Sequence, residues 1–469
     1  MNVRIPGNAA RAASSPLRLI AVSAAALALA ACGNSTAAPS TVGAAGSAGA
    51  SGDITVTTWG NNQDVASIKD AAAGFSKASP GIHVNIVTGD CGVDYAACKK
   101  LVAGKNMPDV LVAGTWNYFQ MAKDGILADL TPALKADGIA KTDFTPVVIN
   151  ALSDKSTGDL YGLPMGYNVQ SLFYNTDMFK KAGLPNPPAD GNYTYDDLRQ
   201  WATKLTLDKN GNNAQSPKFD PKNIVQWGYA NLAASSPPIE QGYDPILAAF
   251  GGGVLSGESR NQCVVDSPGT IAGMQWLQDI MWKDHTAITP QLHQETPGYL
   301  RWAQGHVAMQ QGSHEQVGVA KSTTPSLKFD MAALPKGPKG SATLIQSHVW
   351  AVYKGSKNVS AATKFVEYMA TQGSGKQMGL IPAYKDKALG PDFAQAPGEP
   401  SNLVAAQITP ASWPLNYVNI DPSTVWAAIS GQDGFGPAFE DIVSNRKTAQ
   451  AALTGLCAKT INPIIAKQQ

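Results

Sequence analysis

The 469 residues carry 36 Lys and Arg against 35 Asp and Glu, a formal charge of +1 with the basic positions scattered. That excludes nucleic acid as a partner, since neutralising phosphates needs a clustered basic surface. A chain of this length should hold two or more core-forming units. Of the five cysteines, Cys32 stands apart at the end of an apolar run, leaving Cys91, Cys98, Cys263 and Cys457. In an oxidising compartment this even set allows three connectivities. Proximity in sequence favours Cys91 with Cys98 and leaves Cys263 with Cys457; four unpaired buried thiols are the alternative.

In chain order, Arg4, Arg11 and Arg18 precede an apolar stretch from Leu19 to Ala31, with no acidic residue before Cys32. This is the order of an export signal over residues 1–31. It is too short to span a bilayer, which takes ~20 apolar residues. Leu29-Ala30-Ala31-Cys32-Gly33 resembles the lipobox of bacterial lipoproteins. The resemblance implies cleavage before Cys32 and a diacylglyceryl group on its sulfur, and two acyl chains make a stable anchor. The expected location is therefore the outer face of the cell membrane, held by lipid. An ordinary secretory signal with an incidental cysteine is the alternative. From residue 32 to 52 the chain is almost all Gly, Ala, Ser and Thr. Such a composition cannot form a core and reads as a flexible tether with a reach of about 25 Å.

"DITVTTW" at 53–59 alternates Ile54, Val56 and Thr58 on one face, as a strand does. Val65, Ile68, Ala72 and Phe75 then form the stripe of a helix that Pro80-Gly81 stops. "IHVNIV" resumes period two from Ile82, a second helix runs from about Tyr95 to Val102, and "PDVLVAG" from Pro108 reads as a buried strand. Strands and helices alternating at this spacing predict βαβ units and a parallel sheet covered on both faces, hence an open α/β fold. The alternation recurs at 160–175 and at 342–355, while the polar segment 207–223 reads as a surface loop.

At this point a family resemblance emerges from landmarks in order: "ITVTTWG", "FSKASPGIHV", "MPDVLVAGTW", "LYGLPMGYNVQSLFYNTDMFKKAGL", "TYDDLRQWATKLT", "WAQGHVAMQQGSHE", "ALPKGPKG" and "HVWAVYKGSKNVSAATKFVEYMAT". Together they resemble the family 1 extracellular solute-binding proteins, the maltose-binding-protein-like receptors of ABC importers. The resemblance implies a two-lobed periplasmic-binding-protein-like fold of type II, with a sugar held in the cleft between lobes that close on it. It maps lobe one to 53–168 plus 340–380 and lobe two to 169–335 plus 382–469, with crossings near Val169, Pro335 and Ile381. It further implies a carbohydrate ligand, an ABC permease as partner, action as a monomer, and neither enzymatic activity nor a cofactor.

Ligands of open α/β sheets bind beyond the carboxyl ends of strands. Trp59 and Asn61 follow the first strand, where an aromatic face can stack on a pyranose ring and an amide can bond its hydroxyls. Trp116 holds the same position after "PDVLVAG", whereas Asp109 precedes that strand and should fix local structure. The resemblance places a polar contact near the first crossing, at Tyr167 and Asn168. "QGSHEQ" departs from the family pattern, with Ser313, His314 and Glu315 where a tryptophan commonly follows the glycine. His314 would make that wall more polar, or else simply bond a loop carbonyl. Tyr243, with Asp244, could line lobe two. His348 shares a strand face with Trp350, and Trp350 reads as core.

Enzymatic motifs fail. "HEQVG" lacks the second histidine of a zinc-protease helix, "GSGKQ" lacks the first glycine and the Ser or Thr of a phosphate loop, and no G-x-S-x-G occurs. The six histidines are dispersed and no metal site is expected. Two rival readings stay open: a receptor for a non-sugar solute such as a polyamine, an opine or iron, and a secreted hydrolase with an acid pair suited to glycoside cleavage.

Overall fold

The computed structural model describes residues 51–60, 62–236, 238–256, 261–375, 377–418 and 425–467, without the side chains of Gln63, Trp116, Tyr417, Val418 and Ala427. The expectations for the leader, Cys32, the tether up to residue 50 and Asn61 lie outside the described residues.

The first sheet grows from the N-terminal βαβ run. β1 (Gly52–Thr58) pairs in parallel with β2 (Ile82–Thr88) along its whole length and with β3 (Val110–Gly114) at Val56 and Thr57. α1 (Asn62–Ala78) joins β1 to β2 and ends two residues before Pro80, because proline disfavours helical geometry in the residue before it. α2 (Tyr95–Ala103) starts at Asp94, whose side chain accepts hydrogen bonds from the backbone of Ala96 and Ala97, satisfying donors that a helix start leaves unpaired. α3 (Thr115–Lys123) follows β3 directly. Asp109 ties the sheet edge together, accepting from Thr55 N at 2.8 Å and Ser356 Oγ at 2.5 Å.

The sheet is not all parallel as the βαβ spacing predicts. β4 (Gly162–Val169) leads into β5 (Ser171–Asn175), but the two belong to different sheets, and the chain crosses between them at buried Gln170. The second sheet takes β5, β6 (Leu207–Asp208), β7 (Ile224–Ala230), β10 (Val307–Gly312) and β11 (Phe329–Ala333). Two short hairpins stand apart, β8 (Leu255–Ser256) with β9 (Gln262–Cys263) and β12 (Lys336–Gly337) with β13 (Gly340–Ser341). From β11 the chain returns as β14 (Leu344–Val352), antiparallel to both β3 and β4, while β15 (Tyr417–Val418) adds to its edge. The physical reason is connectivity: a strand arriving from the other sheet enters this one in the opposite sense, so the sheet is mixed. Beside β4, the backbone of Ile381 pairs with that of Tyr167 through bonds of 2.8 and 2.9 Å.

Both pairs of cysteines are bridged, Cys91 to Cys98 and Cys263 to Cys457. The segment 207–223 is a loop apart from β6, gathered around Asp208, which accepts from Asn210 N, Asn212 N and Asp220 N. Trp350 is fully buried and donates to Gln377 Oε1 at 3.0 Å.

Gly92 sits where β3 and Trp59 converge. A Cβ there would fall 1.8 Å from the Val112 carbonyl oxygen and 3.1 Å from Trp59 Nε1. Backbone cannot yield as a side chain can, so Gly92→Ala is expected to cost about 2 kcal/mol or more of stability. Chemical denaturation of the variant measures it; an unchanged midpoint would contradict this close approach.

Candidate ligand-binding cavity

A cavity of about 580 Å³ opens between the two sheets. From the first sheet come Trp59 at the carboxyl end of β1, Asp64 and Ser67 on α1, and His348 on β14. Leu232 after β7, Gln241, Tyr299 and the helix Glu315–Thr323 after β10 supply the facing wall. Residues 378–380 and Glu399 close one end.

Trp59 stands edge-on to the His348 ring, with centroids 4.6 Å apart and planes at 80°. Burial pushes His348 down to about 4, so it is a neutral imidazole at pH 7 and supports the indole without charge. The sign of the resulting pH dependence follows from linkage. The unfolded chain takes up a proton at this histidine near 6.5 and the folded chain does so only near 4, so stability rises with pH across that window. Acidification from pH 7 to pH 4 is expected to cost about 3 kcal/mol through this group. The check is the difference between the wild type and His348→Gln in denaturation midpoints over that range; identical slopes would contradict it.

Glu315 begins its helix with its carboxylate at the cavity surface, accepting from Asn168 Nδ2 at 3.3 Å. The protein mass around the cleft, and Asp64 across it, raise that carboxyl above its ordinary value. Gln241 reaches the other sheet through Gln346, 2.6 Å away. Its carbonyl is held from beneath by Gln311 Nε2 at 2.6 Å, and Gln311 Oε1 in turn accepts from Asn231 and Tyr229. This buried amide network is satisfied on both sides, which makes the wall it supports stiff.

Of the residues singled out in sequence, the cavity gathers Trp59, His314, Glu315 and His348. Asn168 stands directly behind Glu315. Ser313 is buried beside them. Both ring nitrogens of His314 are engaged by protein, Nδ1 with the Gly379 carbonyl at 2.9 Å and Nε2 with Glu399 at 2.8 Å. Tyr167 lies elsewhere: it is fully buried, its phenol pushed up to about 12, on a separate apolar groove shared with Val147, Leu389, Ile408 and Trp413. Tyr243 is buried edge-on against Phe439 at 4.9 Å, and Asp244 is buried with it. Trp116 is the second residue of α3, and Asn61 is outside the described residues.

Sequence reasoning missed Asp64, Ser67, Gln241, Tyr299, Lys321 and Glu399. Asp64 and Ser67 were legible in principle, three residues apart on a helix that starts beyond a strand end. Glu399 sits in a Pro- and Gly-rich stretch with no local signal. Among the described residues no group of three or more His, Cys, Asp or Glu could hold a metal ion, and no helix is long and apolar enough to cross a membrane.

The family described as bacterial extracellular solute-binding protein matches residues 59–376, a span that starts at Trp59 and includes most of the cavity. The chain belongs to that family. A relative from Deinococcus radiodurans, named "Probable ABC transporter-binding protein", is 25% identical over 331 residues, 67% of this chain and 74% of that protein. Two solved solute-binding proteins share the two-domain fold. An ABC substrate-binding protein from Listeria monocytogenes in complex with cycloalternan aligns with a TM-score of 0.71 at 21% identity, covering 88% of this chain and 99% of that one. UgpB from Mycobacterium tuberculosis in complex with glycerophosphocholine aligns at 0.69 and 18% identity, covering 89% and 99%. The family consists of receptors for solutes rather than enzymes and acts outside the cytoplasm.

Proposed function

We propose that this chain captures a sugar or oligosaccharide in the cavity between its two sheets and delivers it to the permease of an ABC importer. The observation that carries the reading is the pairing of unlike walls. Trp59, braced by neutral His348, offers an aromatic face for the apolar side of a pyranose. Glu315, held from behind by Asn168, and Gln241 offer carboxylate and amide groups facing it. A sugar with the wrong hydroxyl pattern leaves such groups unpaired, and that penalty is the source of selectivity. The Listeria protein, which shares the fold, is in complex with a carbohydrate, cycloalternan, and that supports the reading.

In this reading the lobes are 53–168 with 340–380 and 169–335 with 382–469, and a hinge motion about the crossings closes them. A ligand shifts that equilibrium only by its extra affinity for the closed form. The receptor acts as a monomer, cleaved before Cys32 and held to the membrane by lipid on that cysteine, with residues 32–52 as the tether.

A second reading, a non-sugar solute carrying positive charge, is favoured by the three carboxylates of the cavity, Asp64, Glu315 and Glu399. One thermal-shift screen decides. A ligand that binds only the folded protein stabilises it by ~2.7 kcal/mol at a hundredfold excess over its dissociation constant. Stabilisation by a carbohydrate supports the sugar reading. A response to polyamines or choline esters with none to any sugar overturns it, as does turnover of a glycoside.

A further inference from the structure

His314 is held in a geometry that a neutral imidazole beside an ionised carboxylate cannot satisfy. Its Nδ1 lies 2.9 Å from the Gly379 carbonyl oxygen, which can only accept, so Nδ1 carries a hydrogen. Its Nε2 lies 2.8 Å from Glu399 Oε2, between side chains that are 5% and 3% exposed. With a single ring hydrogen and a bare carboxylate, one of the two contacts sets lone pair against lone pair, where little water can relieve it. One further proton, shared between Nε2 and the carboxyl, satisfies both.

The two contacts join parts of the cavity wall that differ in origin. His314 immediately precedes the helix Glu315–Thr323 on the second sheet's side. Gly379 ends the single turn Gln377–Gly379, which packs on α1 of the first sheet, where Met378 N donates to Ser67 Oγ at 2.9 Å. Met378 and Gly379 both take positive φ, 51° and 69°, and a Cβ on Gly379 would fall 3.1 Å from Glu315 Cα. This turn is bent to bring its carbonyl to the histidine. We propose that His314 and Glu399 form a proton-operated latch: sharing one proton, they pin the helix Glu315–Thr323 to the Gln377–Gly379 turn and stiffen that wall, which loosens when the proton leaves.

The charges facing the pair set its direction. Lys321, 3.7 Å from Glu399 Oε1, brings positive charge to the carboxylate's other oxygen. Glu315, next in the chain and bonded to Asn168, and Asp64 on α1 add negative charge on the same side. On the segment behind the ring, Phe393 packs at 4.5 Å and Asp392 is held by Lys387 at 2.8 Å. The described residues 377–380 carry no titratable side chain. The latch is therefore present on the acid side and lost as pH rises. His348 in the same cavity titrates in the opposite sense and is untouched by changes at Glu399.

Hydrogen exchange of the purified full chain, without added solute, tests this. Protection factors for residues 315–323 and 377–381 are followed from about pH 5.5 to about pH 8, against the helix Pro268–Gln278 as internal reference. Protection of both segments is expected to fall at least about fivefold relative to the reference as pH rises. In Glu399→Gln the amide can donate to Nε2 while Nδ1 keeps Gly379, so protection should stay high and flat across the range. His314→Gln should also lose the slope, and the wild-type profile stands alone if either variant fails to fold. A wild-type profile parallel to the reference, or a Glu399→Gln variant that keeps the slope or is unprotected at every pH, overturns the proposal.

Discussion

Replacing Trp59 by alanine is expected to weaken carbohydrate binding by about 2 kcal/mol, roughly thirtyfold in Kd, while the protein stays folded. The indole is only partly buried, on the rim of the core, and stands edge-on to His348. Its removal therefore takes away a ligand surface more than a structural one. Calorimetric titration of Trp59→Ala and Trp59→Phe with a sugar that stabilises the wild type checks this, and phenylalanine should restore much of the loss because the stacking face returns. Equal affinity in the alanine variant would remove Trp59 from the site.

The largest effect on stability is expected at Cys263 and Cys457. Their bridge closes a loop of 194 residues, whereas Cys91 and Cys98 are separated by seven. In the chain-entropy account the long loop contributes about 5 kcal/mol and the short one about 2.5 kcal/mol, because more freedom is removed from the unfolded chain. The bridge fastens the C-terminal helices to the second sheet's flank, where Gln278 Nε2 already donates to the carbonyls of Ile442 and Lys447 and Trp282 Nε1 to that of Val443. Urea denaturation of the Cys263→Ala/Cys457→Ala and Cys91→Ala/Cys98→Ala proteins should rank them in that order. The reverse order would show that these polar contacts alone hold the C-terminal helices and that loop entropy is not what matters.

How much of this was legible in the sequence depended on how local the signal was. The run from β1 to β3 could be read closely, because period-two and period-3.6 patterns and Pro80 as a stop all act within a few positions. Trp59 followed from the rule that loops after parallel strands face the ligand. The antiparallel return of β14 could not be read from spacing, since strand direction depends on where the chain has been, and that is a property of the crossings at Gln170 and beyond. Tyr167 and Asn168 show the limit at single-residue scale. Neighbours on β4 point to opposite faces, so one reaches Glu315 and the other turns to the apolar groove. Gln241, two positions from the Tyr243 named in the sequence reading, meets the cavity instead, because the helix from Glu240 buries the tyrosine against Phe439. Glu399 was beyond reach: only the folded chain brings it to His314, 85 residues away.

A crystal structure of the protein with the carbohydrate that stabilises it most tests the central claim directly. The account predicts a sugar ring lying on the Trp59 indole, its hydroxyls within hydrogen-bonding distance of Glu315 and of Gln241. A sugar bound outside this cavity, for instance in the groove beside Tyr167, or one inside it touching neither Trp59 nor Glu315, would contradict the account.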